Sequence, residues 1–486
     1  LVDEVLPGDT FTMKLNGFAR IFSPLDAPVM DNIELETFFF FVPCRLLWDN
    51  WTKMMGEHDA AGAQDTTYTV PIIASGMVVD HDAEHAAGAA HILGAYLGLP
   101  HGITSASTNI IALPFRAYNQ IYNEWFRDQN LIGEASELKG DAADAHTIYV
   151  LRQSAKKHDY FTSCLPYLQK GTAQTVALAG KPFVQFDGTA GQDLGIYSTA
   201  LVDHQKIDAD LSLADMSTSS QTSARTLYVD LSSLGTIDIN ALRQSVAIQR
   251  LLERDARGGT RYVEIIKSHF GVTSPDFRLQ RPEYLGGGKS FITVAPVANT
   301  SSTAGEDQGE LRGVGSGVIS GHGWAKSFTE HGYVIGIMRA RGDITYYQGI
   351  DKMWGRSNRY DFFMPALANL GEQGVLNKEI WHSNNNTIDV GIFGYQERWA
   401  EYRFKQSRLC GNFNPEVSGS LSFWHLAEDF ATLPPLDVTF VQDQTPMTRV
   451  TTVSSEPDFI ADLWFDYKCA RPIPVRSIPS LIAGVF

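Results

Sequence analysis

Long apolar runs are missing from this 486-residue chain. No stretch approaches the roughly 18–20 residues that a membrane-spanning helix requires, so membrane insertion is not expected. No signal peptide is visible either. Cysteine is scarce: Cys44, Cys164, Cys410 and Cys469 are widely scattered, without CxxC or other ligand spacing. That argues against a disulfide scaffold and predicts buried free thiols in a reducing compartment. A cationic surplus is also lacking. Against 55 Asp and Glu the chain sets 39 Lys and Arg, a formal net charge of −16, which speaks against a free-standing DNA binder with a broad basic face. The chain begins at Leu1 rather than Met, and an N-terminal piece is expected to be missing.

Catalytic signals are equally sparse. No pair of carboxylates, Ser/His/Asp grouping or Cys/His pair stands in a setting that suggests a tuned pKa. GGGKS (286–290) resembles the end of a phosphate-binding loop, but Glu283 stands where the opening Gly of a P-loop belongs, and a strand-like run follows Ser290. GVGSGVISGHG (313–323) contains neither GxGxxG nor GxSxG and reads as a flexible loop. DHDAEHAAGAAH (80–91) sets His81 and His85 four residues apart, a spacing that could share a metal on a helix. It lacks the HExxH pattern and a distant partner, so a solvated acidic loop is the plainer reading. The RGD at 341–343 lies between two strand-like runs and reads as a turn. No catalytic residue, metal or cofactor is expected.

What the chain does have is a large apolar and aromatic content, 44% and 11%, enough to bury a substantial core. Its charge is uneven: residues 1–240 hold 14 cations against 29 anions, and residues 241–486 hold 25 against 26. Strand signals dominate. IELETFFFFVPC (33–44) alternates and then turns continuously apolar, as a strand covered on both faces would. TIYV, TVALA, TLYVDL, KSFITVAPV, GYVIGIMRARGDITYYQ and LDVTFVQ are further candidates. Helical periodicity marks PFRAYNQIYNEWFRD (114–128), a segment behind Asp238 that stops at Gly258, and TRYVEIIKSHFG. Long polar segments at 58–110, 181–226 and 296–323 interrupt them, and segments of that length are functional or ordered by neighbours. The pattern predicts one mainly β core, a sandwich displaying long insertions and a few short helices.

QERWAEYRFKQSRLCG (396–411) interleaves Arg398, Trp399, Tyr402, Arg403, Phe404, Lys405 and Arg408. Rings and cations in alternation suit stacking on bases and neutralising phosphate. They equally suit a subunit contact, with the cations paired to acids such as Glu397 and Glu401. The C-terminal run YKCARPIPVRS adds Lys468, Arg471 and Arg476 as secondary candidates for DNA or interface contact.

Four stretches together closely resemble the major capsid protein of the Microviridae, small icosahedral single-stranded DNA phages, and its gokushovirus branch above all. They are VDEVLPGDTF (2–11), PVMDNIELETFFFFVPCRLLWDNW (28–51), DARGGTRYVEIIKSHFGVTSPDFRLQRPEYLGGG (255–288) and QERWAEYRFKQSR (396–408). The family usually carries further residues ahead of the first. Stretches 58–110 and 181–226 match nothing with comparable specificity. The resemblance implies an eight-stranded viral jelly roll over residues 1–486, pentamers and a T=1 icosahedral shell, and an enclosed circular single-stranded DNA genome. It further implies scaffolding and DNA-pilot-type phage proteins as partners, host attachment to a surface receptor, glycan included, and assembly in the bacterial cytoplasm. By position, 181–226 is the candidate three-fold protrusion. The alternative is a carbohydrate-binding or carbohydrate-cleaving jelly roll, which predicts two carboxylates across an aromatic cleft.

Overall fold

Residues 10–21, TFTMKLNGFARI, put Phe11, Met13, Leu15, Ala19 and Ile21 on one side of an extended chain, and all five are buried. Period-two alternation of this kind produces a strand with one dry face and one wet face. The computed structural model describes residues 1–57, 68–80, 92–172, 183–186, 194–196, 205–207, 227–230, 239–258, 262–271, 280–301, 308–453 and 457–473. Its strands in chain order are β1 Val2–Val5, β2 Thr10–Ile21, β3 Ile33–Pro43, β4 Phe183–Phe186, β5 Leu194–Ile196, β6 Gln205–Ile207 and β7 Leu227–Asp230. These are followed by β8 Glu283–Ala298, β9 Leu311–Ser327, β10 Gly332–Gly342, β11 Glu372–Leu376, β12 Ile392–Glu397 and β13 Phe459–Ala470. Two compact units result, Leu1–Leu168 with Thr273–Phe486, and Gln169–Val272.

In the larger unit seven of these strands form one antiparallel sheet in the order β1-β10-β3-β8-β9-β2-β13. Chain length forces this sheet to curl. β1 and β2 stand five strand spacings apart, about 24 Å across a flat sheet. The link from Val5 to Thr10 reaches at most about 17 Å. The curl brings Phe11 of β2 and Phe41 of β3 onto the same ring, Phe328, at 5.7 and 4.6 Å between centroids. Trp324 of β9 and Tyr467 of β13 join that cluster. Backbone bonds from Gly8 to Phe328 and from Phe328 to Asp9, both 2.8 Å, tie the two connecting turns.

The same end is clasped by charge. Asp9 is fully buried and accepts from Leu6 N at 2.8 Å and from Arg471 Nε and Nη2 at 3.0 and 2.9 Å. Arg471 also donates to the Glu4 carbonyl at 2.8 Å, joining β1 to the end of β13, the two edges of the sheet.

The apolar run FFFFV is covered on both faces, as its pattern predicts. Phe39 and Phe41 face the inner core, while Phe40 and Val42 pack outward with Leu113, Ala117 and Ile121 of the helix Leu113–Ile121. Arg116 on that helix is buried in a two-pronged pair with Asp144 at 2.7 and 2.8 Å. Glycine serves the sheet where strands crowd. A Cβ on Gly288 would fall on the buried ring of His322, which bonds Thr37 at 2.7 Å and Ser290 at 3.1 Å. GGGKS is therefore strand backbone in β8, with no phosphate loop.

Several sequence expectations are corrected. GVGSGVISGHG is not a flexible loop but lies inside β9, and most of 296–323 is strand, because its small residues admit neighbouring backbones and side chains. RGD makes no turn: Arg341 and Gly342 end β10, and Arg341, 3% exposed, pairs with Asp443 at 3.2 Å. TIYV contributes to a 3-10 turn, His146–Ile148. LDVTFVQ holds the helical turn Val438–Val441, because Asp437 caps Thr439 N at 2.9 Å. Cys44 and Cys164 are buried as expected, burial pushing Cys44 up to about 12, but Cys410 and Cys469 are exposed. TVALA, Asp238, His81 and His85 lie outside the described residues.

The smaller unit pairs β4 with β7 and β5 with β6, and adds helices Ile239–Arg257 and Tyr262–Phe270, joined by His269 and Asp255 at 2.5 Å.

Replacing Arg471 with Met leaves the Asp9 carboxylate buried without its cation. Urea unfolding at pH 7 is expected to show a loss of about 3 kcal/mol, largely recovered by adding Asp9→Asn. Burial holds the His322 and His425 imidazoles below their ordinary value near 6.5. Their stabilising contribution is complete above that pH and is lost as pH falls below it. Thermal unfolding followed from pH 8 to 5 is expected to decline less in His322→Gln than in the parent chain.

Candidate subunit and nucleic-acid interface

The run 396–408 begins as β12, which pairs with β11 over a core of Val375, Phe393, Tyr160, Phe161 and Ala400. At Trp399 the chain turns sharply, with a left-handed φ of 70° that a bulky side chain adopts only under constraint. The constraint is visible: the indole is 7% exposed, donates Nε1 to the Leu367 carbonyl at 3.0 Å, and meets Phe363 edge-on at 5.5 Å. The short helix Ala400–Arg403 follows.

The cations of this run are already engaged. Arg398 donates to the Tyr360 carbonyl at 3.1 Å and lies over the Trp399 ring. Arg403 pairs with Glu397, and Arg408 with Asp351. Lys405 donates to the Glu401 carbonyl at 3.1 Å. Tyr402 bonds and stacks beneath Arg356, whose guanidinium lies 4.3 Å from its ring. Phe404 is partly exposed beside Tyr160. In the C-terminal run, Lys468 lies 3.5 Å from Asp466, Arg471 belongs to the Asp9 clasp, and Arg476 lies outside the described residues.

The adjoining loop exposes apolar side chains. Trp354, 74% exposed, stands with Met353, Tyr360, Phe362, Phe363 and Leu370 on the loop that packs against 398–402. Sequence reading passed over this loop, although the density of rings in WGRSNRYDFFMP was its available signal. Exposed aromatic clusters of this kind mark surfaces that another molecule covers.

Two adjoining pockets of about 330 and 550 Å³ flank the run and share Lys352, Glu379 and Glu401. Both carboxylates are held by fixed donors. Glu379 accepts from Tyr160 and from Leu376 N, each at 2.9 Å, and Glu401 from Gln373 at 2.8 Å and Arg356 at 3.2 Å. Burial, and then Glu379, raises the Tyr160 phenol far above its ordinary value. Neither carboxylate is placed as a free acid or base, so the carbohydrate-cleaving alternative gains no support. Among the described residues, no three His, Cys, Asp or Glu side chains converge as metal ligands, and no helix is long and apolar enough to cross a membrane.

The family described as "Capsid protein (F protein)" matches residues 1–481. "Capsid protein VP1" of Bdellovibrio phage phiMH2K is 45% identical, over 99% of this chain and 91% of its own. The protein of the same name from Chlamydia phage 1 is 37% identical, over 99% and 92%. That of Spiroplasma virus 4 is 32% identical, over 98% and 90%.

Trp399→Ala is expected to lower stability by roughly 3 kcal/mol in chemical unfolding, since it empties a buried site that also fixes a turn. Arg403→Gln, at an exposed ion pair, is expected to change it by less than about 1 kcal/mol.

Proposed function

The chain belongs to the capsid protein (F protein) family and is a structural capsid subunit of the microvirus kind; from that premise we propose how it assembles and what it meets. Copies close into a T=1 icosahedral shell built of pentamers, around a circular single-stranded DNA genome, in the bacterial cytoplasm. Scaffolding and DNA-pilot-type phage proteins take part in assembly. The 181–226 segment supplies the three-fold protrusion that meets a host receptor, glycan included.

The run 396–408 serves chiefly as a subunit contact. The observation that carries this reading is its internal charge balance: Arg403, Arg408 and Arg356 each face an acid of the same chain, while the adjoining rings remain in solvent. A phosphate backbone would have to compete with those carboxylates. A second copy of the chain gains by covering the rings, and interface cores favour aromatic residues and Arg.

Electron microscopy of the expressed chain with its scaffolding partners is expected to show small isometric particles with bumps at the three-folds. A lasting monomer overturns the assembly reading. Trp354→Ala combined with Phe362→Ala is expected to abolish particles, seen as a slow-sedimenting species, while unfolding of the subunit shifts by less than about 1 kcal/mol. Neutralising Arg403 and Lys405 is expected to lower particle yield while leaving the nucleic acid packaged per particle unchanged. Intact particles with a reduced genome content would move this run to the DNA side.

A further inference from the structure

The curled sheet has a second, different surface. Its β3 and β10 strands are roofed outside by the helix Leu113–Ile121, but the outer faces of β8, β2 and β13 carry exposed rings, with Val318 exposed on β9 among them. Phe18 of β2, Phe291 of β8 and Trp464 of β13, the last 71% exposed, rise from three strands of this one face. In register, Phe18 stands between Val318 of β9 and Asp462 of β13.

Flanking the ring rows along β2 are cations of another kind from those at 396–408. Lys14 and Arg20 lie on the outward side of β2 and pair with no acid among the described residues. Arg20 has Ile460 and Ser316 as its cross-strand neighbours. The acids on β13 are Asp462 and Asp466. Asp466 stands opposite Lys14 in register but lies 3.5 Å from Lys468.

We propose that this open sheet face, with Phe18, Phe291 and Trp464 as stacking rings and Lys14 and Arg20 as phosphate partners, is a binding platform for single-stranded nucleic acid. It rests on the capsid reading above, which supplies an enclosed single-stranded genome. Unstacked bases present flat apolar faces that any exposed ring accepts, whatever the sequence, and their backbone carries the counter-charge that the cations lack. Covering the same face with protein would bury Lys14 and Arg20 at a cost unless the neighbour brought acids to pair with them. A duplex offers no free base faces to the rings.

Fluorescence anisotropy of the full chain with labelled oligo(dT), across a salt series, tests this. Binding is expected to weaken with salt. Lys14→Gln with Arg20→Gln is expected to lower the log–log salt slope by about 1.4, two phosphate contacts at about 0.7 each. Trp464→Ala is expected to weaken binding roughly tenfold. Arg403→Gln with Arg408→Gln is expected to change neither. All these side chains are exposed, and matching thermal unfolding confirms an intact fold. Unchanged slope and affinity in the sheet-face variants overturn the proposal, as does equal loss in the Arg403 and Arg408 variant. Sheet-face variants that bind oligo(dT) normally yet form no particles also overturn it, assigning the face to a neighbouring subunit. Particle formation by the parent chain is a separate readout. Its failure strikes the assembly reading, whereas variant particles with undiminished nucleic acid strike only the platform.

Discussion

The short link from Val5 to Thr10 is the constraint on which the larger unit depends. It joins the first and sixth strands of a seven-stranded sheet, and no flat sheet lets so few residues span that distance. Curling brings Phe41 of β3, through Phe328 in the turn after β9, to the cluster that Phe11, Trp324 and Tyr467 form on the adjacent strands β2, β9 and β13. The Asp9–Arg471 pair then closes the seam where the sheet edges meet. Burying that charge costs desolvation energy, so its value is geometric: it defines which edges meet.

Once the inner face is filled, function is left to the outside, and charge pairing sorts the surfaces. At 396–408 nearly every cation has a carboxylate or carbonyl of its own chain, and the adjoining loop exposes aromatic rings. On the outer sheet face Lys14 and Arg20, flanking the exposed rings along β2, pair with no acid among the described residues. The first arrangement favours a protein neighbour that covers apolar area. The second favours a polyanion with stacking bases. An overall charge of −16 conceals this division, because a sum over the chain says nothing about which cations are already neutralised.

Much of the fold was legible in the residues. The alternation of 33–37 followed by FFFFV announced a strand buried on both sides, and the rings at 115, 118 and 122 announced a helix, although Leu113, Ala117 and Ile121 are the residues that cover the strand while Phe115 and Tyr118 pack elsewhere. Short-range chemistry misled where tertiary contacts decided. The glycines of 313–323 looked like freedom, yet at Gly313, Gly315, Gly317 and Gly323 neighbouring strands and side chains leave no room for a Cβ. The β-branched run VTFV became a helical turn under the Asp437 cap. Of the interface run, the sequence made its composition plain but not its pairing. Asp351 lies 57 residues before Arg408, and only the fold makes them partners.

By itself, the sequence determined the class of protein, the mainly β core, the absence of membrane-length runs and the segments through which the chain resembles phage capsid proteins. Those properties are carried by local periodicity and by contiguous residues. The tertiary structure alone decided that Trp399 is a buried pin, that Arg471 is a clasp and that Lys14 and Arg20 pair with no acid among the described residues. Charge neutralisation and burial depend on distances between residues far apart in the chain, and such distances exist only after the sheet has curled.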